Sequence, residues 1–185
     1  NSINTDACTN ACTTPRCGDA IVNGTEQCDD GNSVNTDACT DSCKTAVCGD
    51  GYVQSGELCD DGATISGDGC SSSCQIEKGS ITACKYNDVN RNGQKDVSEN
   101  YMYWTFSLDG NNFYPTTNGC YTFSDLDLNQ TYTVTENSDS GYSSINPASH
   151  SVTLTNTHQT ETVNFGNYQL NICGDGYLDA GEACD

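Results

Sequence analysis

From Ile81 to Tyr168 apolar and polar residues alternate in short runs: YMYWTFSL, CYTFSDL, TYTVTE, HSVTLTN and ETVNFGNY. Thr, Tyr, Val and Phe dominate these runs, and Asp-Gly, Asn-Gly and Ser-Gly pairs separate them. Alternation with period two sends successive side chains to opposite faces of a strand, and the Gly-containing pairs supply the positive φ of tight turns. No stretch shows the spacing of an amphipathic helix. The chain is therefore expected to be mainly β, with an antiparallel β-sandwich of roughly seven short strands across 80–170. Tyr101 to Phe106 reads as strand and core rather than as a platform for sugar rings.

Outside that region the alternation stops and cysteines set the pattern. Cys17, Cys28, Cys39 and Cys43 follow a C-x10-C-x10-C-x3-C template, and Cys48, Cys59, Cys70 and Cys74 repeat it. Each unit spans about 31 residues with little apolar content. It is too small to bury a core, so disulfides must staple it. The units cover 17–47 and 48–79, and sequence alone leaves all three pairings open in each. A front half recurs at 171–185 with Cys173 and Cys184, and a back half fills 1–16 with Cys8 and Cys12. Together the two halves lack only the positions of Asp30 and Gly31. They are expected to complete one unit between neighbouring subunits, head to tail, a contact that propagates into a filament.

Composition sharpens this picture. The 185 residues hold 14 Cys, 26 Asp and Glu, and 6 Lys and Arg, a formal charge of -20. So much cysteine argues for an oxidising exterior, and the close CxxxC pairs are not zinc knuckles. A polyanion is repelled by nucleic acid and by anionic lipid. No run approaches the ~20 apolar residues of a membrane span, and without an initiator Met or signal-type segment the sequence is expected to be a mature fragment or part of a longer chain.

The CGDG…GE-CDDGN…D-C…C units resemble Myxococcus-type cysteine-rich repeats (DUF4215-like) of secreted and surface proteins. The segments NDVNRNGQKDVSE, NGCYTFSDLDLNQTYTVTE and VNFGNYQ resemble an SdrD B-like domain, related to the collagen-adhesin B-type (prealbumin-like, Ig-like) fold. These resemblances imply surface stalks, adhesins and fibres. Some collagen-adhesin B-type domains carry a Lys–Asn isopeptide bond helped by a buried Glu, and Lys85, Asn167 and Glu136 fall where such a trio lies. SdrD B-like domains often do without it, so Lys85 is expected to be exposed.

Several candidate sites follow from residue types and spacing. Asp88, Asn90, Asn92, Gln94, Asp96 and Glu99 occupy positions 1, 3, 5, 7, 9 and 12 of a calcium loop, with Gly93 at the sharp turn. A structural Ca2+ is expected there. In the repeats, Asp19, Glu26, Asp29, Asp30 and Asp37, then Asp50, Glu57, Asp60, Asp61 and Asp68, either bind calcium or cap backbone N–H groups in turns. Cys84 and Cys120 are expected to form a disulfide within the sandwich. Asn23 and Asn129 head glycosylation sequons. No nucleophile elbow, zincin motif, P-loop or dinucleotide fingerprint is found.

The expected function is an extracellular structural subunit of a filament, sheath or stalk, whose partners are identical subunits and glycans. The alternative is a calcium-stabilised adhesin module that binds protein or glycan. A third reading, accessory repeats of a larger secreted hydrolase, would need a catalytic domain elsewhere.

Overall fold

The computed structural model describes residues 14, 16–113, 118–170, 172–179, 181 and 183. The chain divides into two compact units, Asn1–Glu77 and Lys78–Asp185. Cys8, Cys12 and Cys184 lie outside the described residues. No helix among the described residues is long and apolar enough to cross a membrane.

The first unit has almost no regular structure beyond isolated bridges at Cys39–Thr45 and Cys70–Ile76. Its pairing is nested: Cys17–Cys43 encloses Cys28–Cys39, and Cys48–Cys74 encloses Cys59–Cys70. Cys39, Cys43, Cys70 and Cys74 are the buried centre of each repeat, whereas Val34, Leu58 and Ile65 stay exposed. Each bridge therefore replaces an apolar core, and one closing a loop of this size contributes ~3 kcal/mol. Gly18, with φ at +87°, shows how tightly the frame is drawn. A Cβ there would lie 2.8 Å from the Asn32 carbonyl oxygen.

Among its described residues the second unit is a sandwich of eight strands: β1 (Lys78–Asn87), β2 (Phe106–Leu108), β3 (Asn111–Phe113), β4 (Cys120–Asp127), β5 (Gln130–Glu136), β6 (Tyr142–Ser144), β7 (Ser149–Leu154) and β8 (Thr160–Gln169). One sheet has the order β4-β1-β8-β6 and the other β3-β2-β5-β7. Ile81, Ala83, Phe106, Phe123, Val134, Leu154 and Phe165 fill the space between them. Every pair is antiparallel except the central one, in which β1 and β8 run parallel from Ser80–Thr160 to Asn87–Asn167. The first and last strands thus lie side by side, and the chain enters at one end of that pair and leaves at the other. Cys84 and Cys120 are cross-strand partners and form a disulfide between β1 and β4. Of the YMYWTF run only Phe106 lies in a strand longer than a bridge. Trp104 is buried in the core instead.

Candidate functional site

Two groups of side chains in the sandwich are candidates, and both start from β1. Along this strand Ile81, Ala83 and Lys85 share one face by parity, and all three are fully buried. Lys85 is therefore not the exposed side chain expected from the sequence. Strand alternation carries its ammonium into the core, where Nζ meets Glu136 Oε2 at the end of β5. Its charge also lies 4.5 Å from the centroid of the Trp104 ring. Burial pulls the Lys85 amine down to about 8, and the Glu136 hydrogen bond opposes this only in part.

Asn167 completes the group from β8. It pairs with Asn87 across the parallel ladder, while Lys85 pairs with Phe165. Lys85 and Asn167 therefore occupy the same face of adjacent strands, offset by one pleat. Asn167 is buried, and its Oδ1 has no hydrogen-bond partner. Glu136 is buried too and accepts a 2.6 Å hydrogen bond from Ser144 at Oε1. The site thus holds a depressed amine, a buried carboxyl and an unsatisfied carboxamide. On the opposite face of the same strand pair Gly166 leaves room for Tyr86: a Cβ there would lie 2.5 Å from the Tyr86 hydroxyl.

The second group is the loop leaving β1. Asp88 is fully buried and accepts the N–H groups of Asn92 (3.0 Å) and Gly93 (2.7 Å), so the loop folds around its carboxylate. Asp96 Oδ2 accepts the side-chain amides of Asn90 (2.7 Å) and Asn92 (2.9 Å). Glu99 closes the ring by accepting from Val89 and Asp96, each at 3.0 Å. Gln94 donates its N–H to Asn92 Oδ1 at 2.7 Å. Neither cation of the loop neutralises these acids: Lys95 donates to the carbonyls of Asp96 and Glu99, and Arg91 pairs with Asp175 and Asp179. Their field reaches Tyr86, whose phenol is pushed up to about 12, by burial first and then by Asp88, Glu99 and Asp96. An all-oxygen set with three uncompensated carboxylates suits a hard cation. The three carboxylates do not all gather within 4.8 Å of one another, and Asp96 faces the nitrogen ends of the Asn90 and Asn92 amides.

The repeat acids are held differently. Asp29 accepts four backbone N–H groups, from Gly18, Asp19, Ala20 and Gly31, at 2.8–3.1 Å. Asp60 does the same for Gly49, Asp50, Gly51 and Gly62. Desolvation would raise both carboxyls, but the four donors outweigh it and hold them below the usual 3.8. Asp19, Glu26, Asp30, Asp50, Glu57 and Asp61 each accept a nearby N–H. Most of these acids thus serve as caps for turns rather than forming an open ligand set. Glu26, Asp29 and Cys43 come together, as do Cys48, Glu57 and Cys74, but these sulfurs are in disulfides and offer no thiolate.

Asp37 and Asp68 occupy the same template position and differ. The Asn32 amide leads in holding Asp37 down. Ala63 stands where Asn32 would in the second repeat, and Asp68 Oδ1 is left without a partner. Asp68 is raised, by desolvation and then by Asp61.

Of the sequons, Asn23 is only 3% exposed, so the folded repeat closes it to a glycan. Asn129 lies on the exposed β4–β5 turn with φ at +59°. Cys173 is exposed and in no disulfide among the described residues.

Residues 1–44 and 40–75 match a family described as a domain of unknown function (DUF4215). No curated protein matches the sequence. The sandwich is similar to GBS52, the minor pilin of Streptococcus agalactiae, at 16% identity and a TM-score of 0.39, covering 55% of this chain and 48% of the pilin. It is also similar to BcpA, the major pilin subunit of Bacillus cereus, at 15% identity and a TM-score of 0.37, covering 54% and 36%. The pilus 2b backbone protein of group B streptococcus gives 17%, 0.38, 51% and 42%. The chain therefore spans less than half of each, and at these scores the likeness adds no weight to a functional reading.

Proposed function

We propose that this chain is an extracellular structural module that carries tension in a surface filament, sheath or stalk, with its sandwich locked by a Lys85–Asn167 amide. The observation that carries the reading is the burial of Lys85 and Asn167 on the adjacent first and last strands, with Glu136 of the facing sheet against the Lys85 amine. The neutral Lys85 amine attacks Asn167 Cγ while Glu136 takes up the amine proton and returns it to the leaving nitrogen. One C–N bond forms, one breaks, and ammonia departs, so no oxidant is needed. Force entering at Lys78 would then cross from β1 to β8 and leave at Gln169 without loading the residues between. The many disulfides favour an oxidising exterior.

Calcium fits the same reading as a stiffener of the Asp88–Glu99 loop, held by Asp88, Asn90, Asn92, the Gln94 carbonyl, Asp96 and Glu99. Identical subunits would join head to tail through half-units around Cys8, Cys12, Cys173 and Cys184. A second reading, an adhesin module, is favoured by a cavity of about 520 Å³ bordered by Tyr103, Trp104, Tyr142, Asn137 and Asp139. Rings beside amide and carboxylate groups suit a glycan.

Intact mass tests the crosslink. The oxidised chain should weigh one ammonia less than its disulfide-bonded sequence, and Glu136→Gln should restore that mass. Full mass in the unaltered chain would refute the amide.

A further inference from the structure

We infer that the side chain six residues after the first cysteine of each front half is a docking residue whose chemistry is matched to the module that precedes it. The three residues at this position are Asn23, Gln54 and Asp179, counted from Cys17, Cys48 and Cys173. All three are buried, at 3%, 5% and 8% exposure, although all are polar. Burying a polar group without a partner is costly, so each should answer to something specific.

For two of them the partner is visible. Gln54 follows a repeat, and its Nε2 donates to the Asn35 backbone carbonyl in the back half of that repeat at 3.1 Å. Asp179 follows the sandwich and takes the Arg91 guanidinium as a fork, with Oδ1 2.9 Å from one nitrogen and Oδ2 3.2 Å from the other. The rest of the half-unit supports this fork. Asp175 accepts from Arg91 at 3.2 Å, and the guanidinium lies between the rings of Tyr168 (3.8 Å) and Tyr177 (4.0 Å). Tyr177 also donates to the Asn90 carbonyl at 3.1 Å.

The two solutions are not interchangeable. An amide can donate to a backbone carbonyl, while a carboxylate there would face that oxygen with a like charge. A carboxylate matches both N–H groups of a guanidinium, while an amide oxygen cannot take both with a full charge. The residue type thus separates a repeat predecessor from a sandwich predecessor. Asn23 has the repeat-type amide, and neither of its side-chain polar atoms is hydrogen-bonded among the described residues. The sequence ahead of it, NSINTDAC, copies the NSVNTDAC that carries Asn35, with one change. Asn23 thus carries the residue type of a unit preceded by a repeat. This inference does not rest on the Lys85–Asn167 amide.

Hydrogen exchange on the full oxidised chain tests it. Asp179→Ala and Arg91→Ala should each speed exchange across Cys173–Asp179 by about tenfold or more, the loss expected for a charge-assisted pair. The double variant should be no worse than the more damaging single. Additive losses, or wild-type protection in Asp179→Ala, would overturn the proposal. Gln54→Asp should speed exchange around Asn35 and Asp50 while protection of Ile81 and Ala83 stays unchanged. Unaltered exchange there would overturn it equally. Arg91→Lys, which keeps the charge and loses the fork, should fall between wild type and Arg91→Ala; a value equal to wild type would also count against it.

Discussion

The repeats and the sandwich solve the same problem with opposite means. In the repeats apolar side chains such as Ile65 lie in water, while disulfides and carboxylate caps form the interior. In the sandwich Ile81, Phe106, Val134 and Phe165 are fully buried, and Lys85, Glu136 and Asn167 lie buried beside that core. A short unit cannot remove enough apolar surface from water to offset its chain entropy. Crosslinks thus stand in for an apolar core in the repeats, whereas the sandwich has a core of its own.

Reduction should break this comparison most visibly. Thiol treatment should abolish exchange protection throughout 17–77, since each bridge there contributes ~3 kcal/mol. The sandwich should keep its strands although it loses Cys84–Cys120. Collapse of both units together would show that the sandwich also depends on its disulfide.

Loss of the amide comes next. Glu136→Gln should leave the sandwich folded but less stable by about 4–5 kcal/mol, the loop-closure contribution of a crosslink spanning this much chain. Thermal melts beside intact mass would read both effects. Closure of newly folded chain should accelerate as pH rises through about 8, where Lys85 loses its proton. A flat pH profile would separate the reaction from that amine.

Acid should then distinguish the units in the other direction. Asp29 and Asp60 are depressed in the folded repeats, so their contribution is complete above 3.8 and is lost as pH falls below it. Asp68 is raised, so ionising it opposes folding as pH rises, and Asp68→Asn should stabilise the second repeat at neutral pH. Melts of the unaltered chain and of Asp68→Asn against pH would check the two signs. The smallest effect should come from chelation: removing calcium should lower the sandwich melting temperature by a few degrees without touching the repeats.

Much of this was legible in the residues, and the exceptions have physical causes. Alternation announced β4, β5, β7 and β8, and the cysteine template announced the repeats. Lys85 is buried rather than exposed because strand parity with Ile81 and Ala83 outweighs the preference of its charge for water. The parallel β1–β8 pair was hidden because local patterns do not reveal which distant strands become neighbours. Disulfide nesting was equally hidden, since spacing permits every pairing. The caps by Asp29 and Asp60 depend on backbone N–H groups converging after Gly18 and Gly49, which composition cannot show.

Pulling one molecule by handles placed just before Lys78 and just after Gln169 tests most directly whether a Lys85–Asn167 amide carries tension across the sandwich. The account predicts that the wild-type sandwich never releases the chain between Lys85 and Asn167, while Glu136→Gln releases it in one unfolding step. Full extension of the wild-type sandwich at the same force as the variant would contradict it.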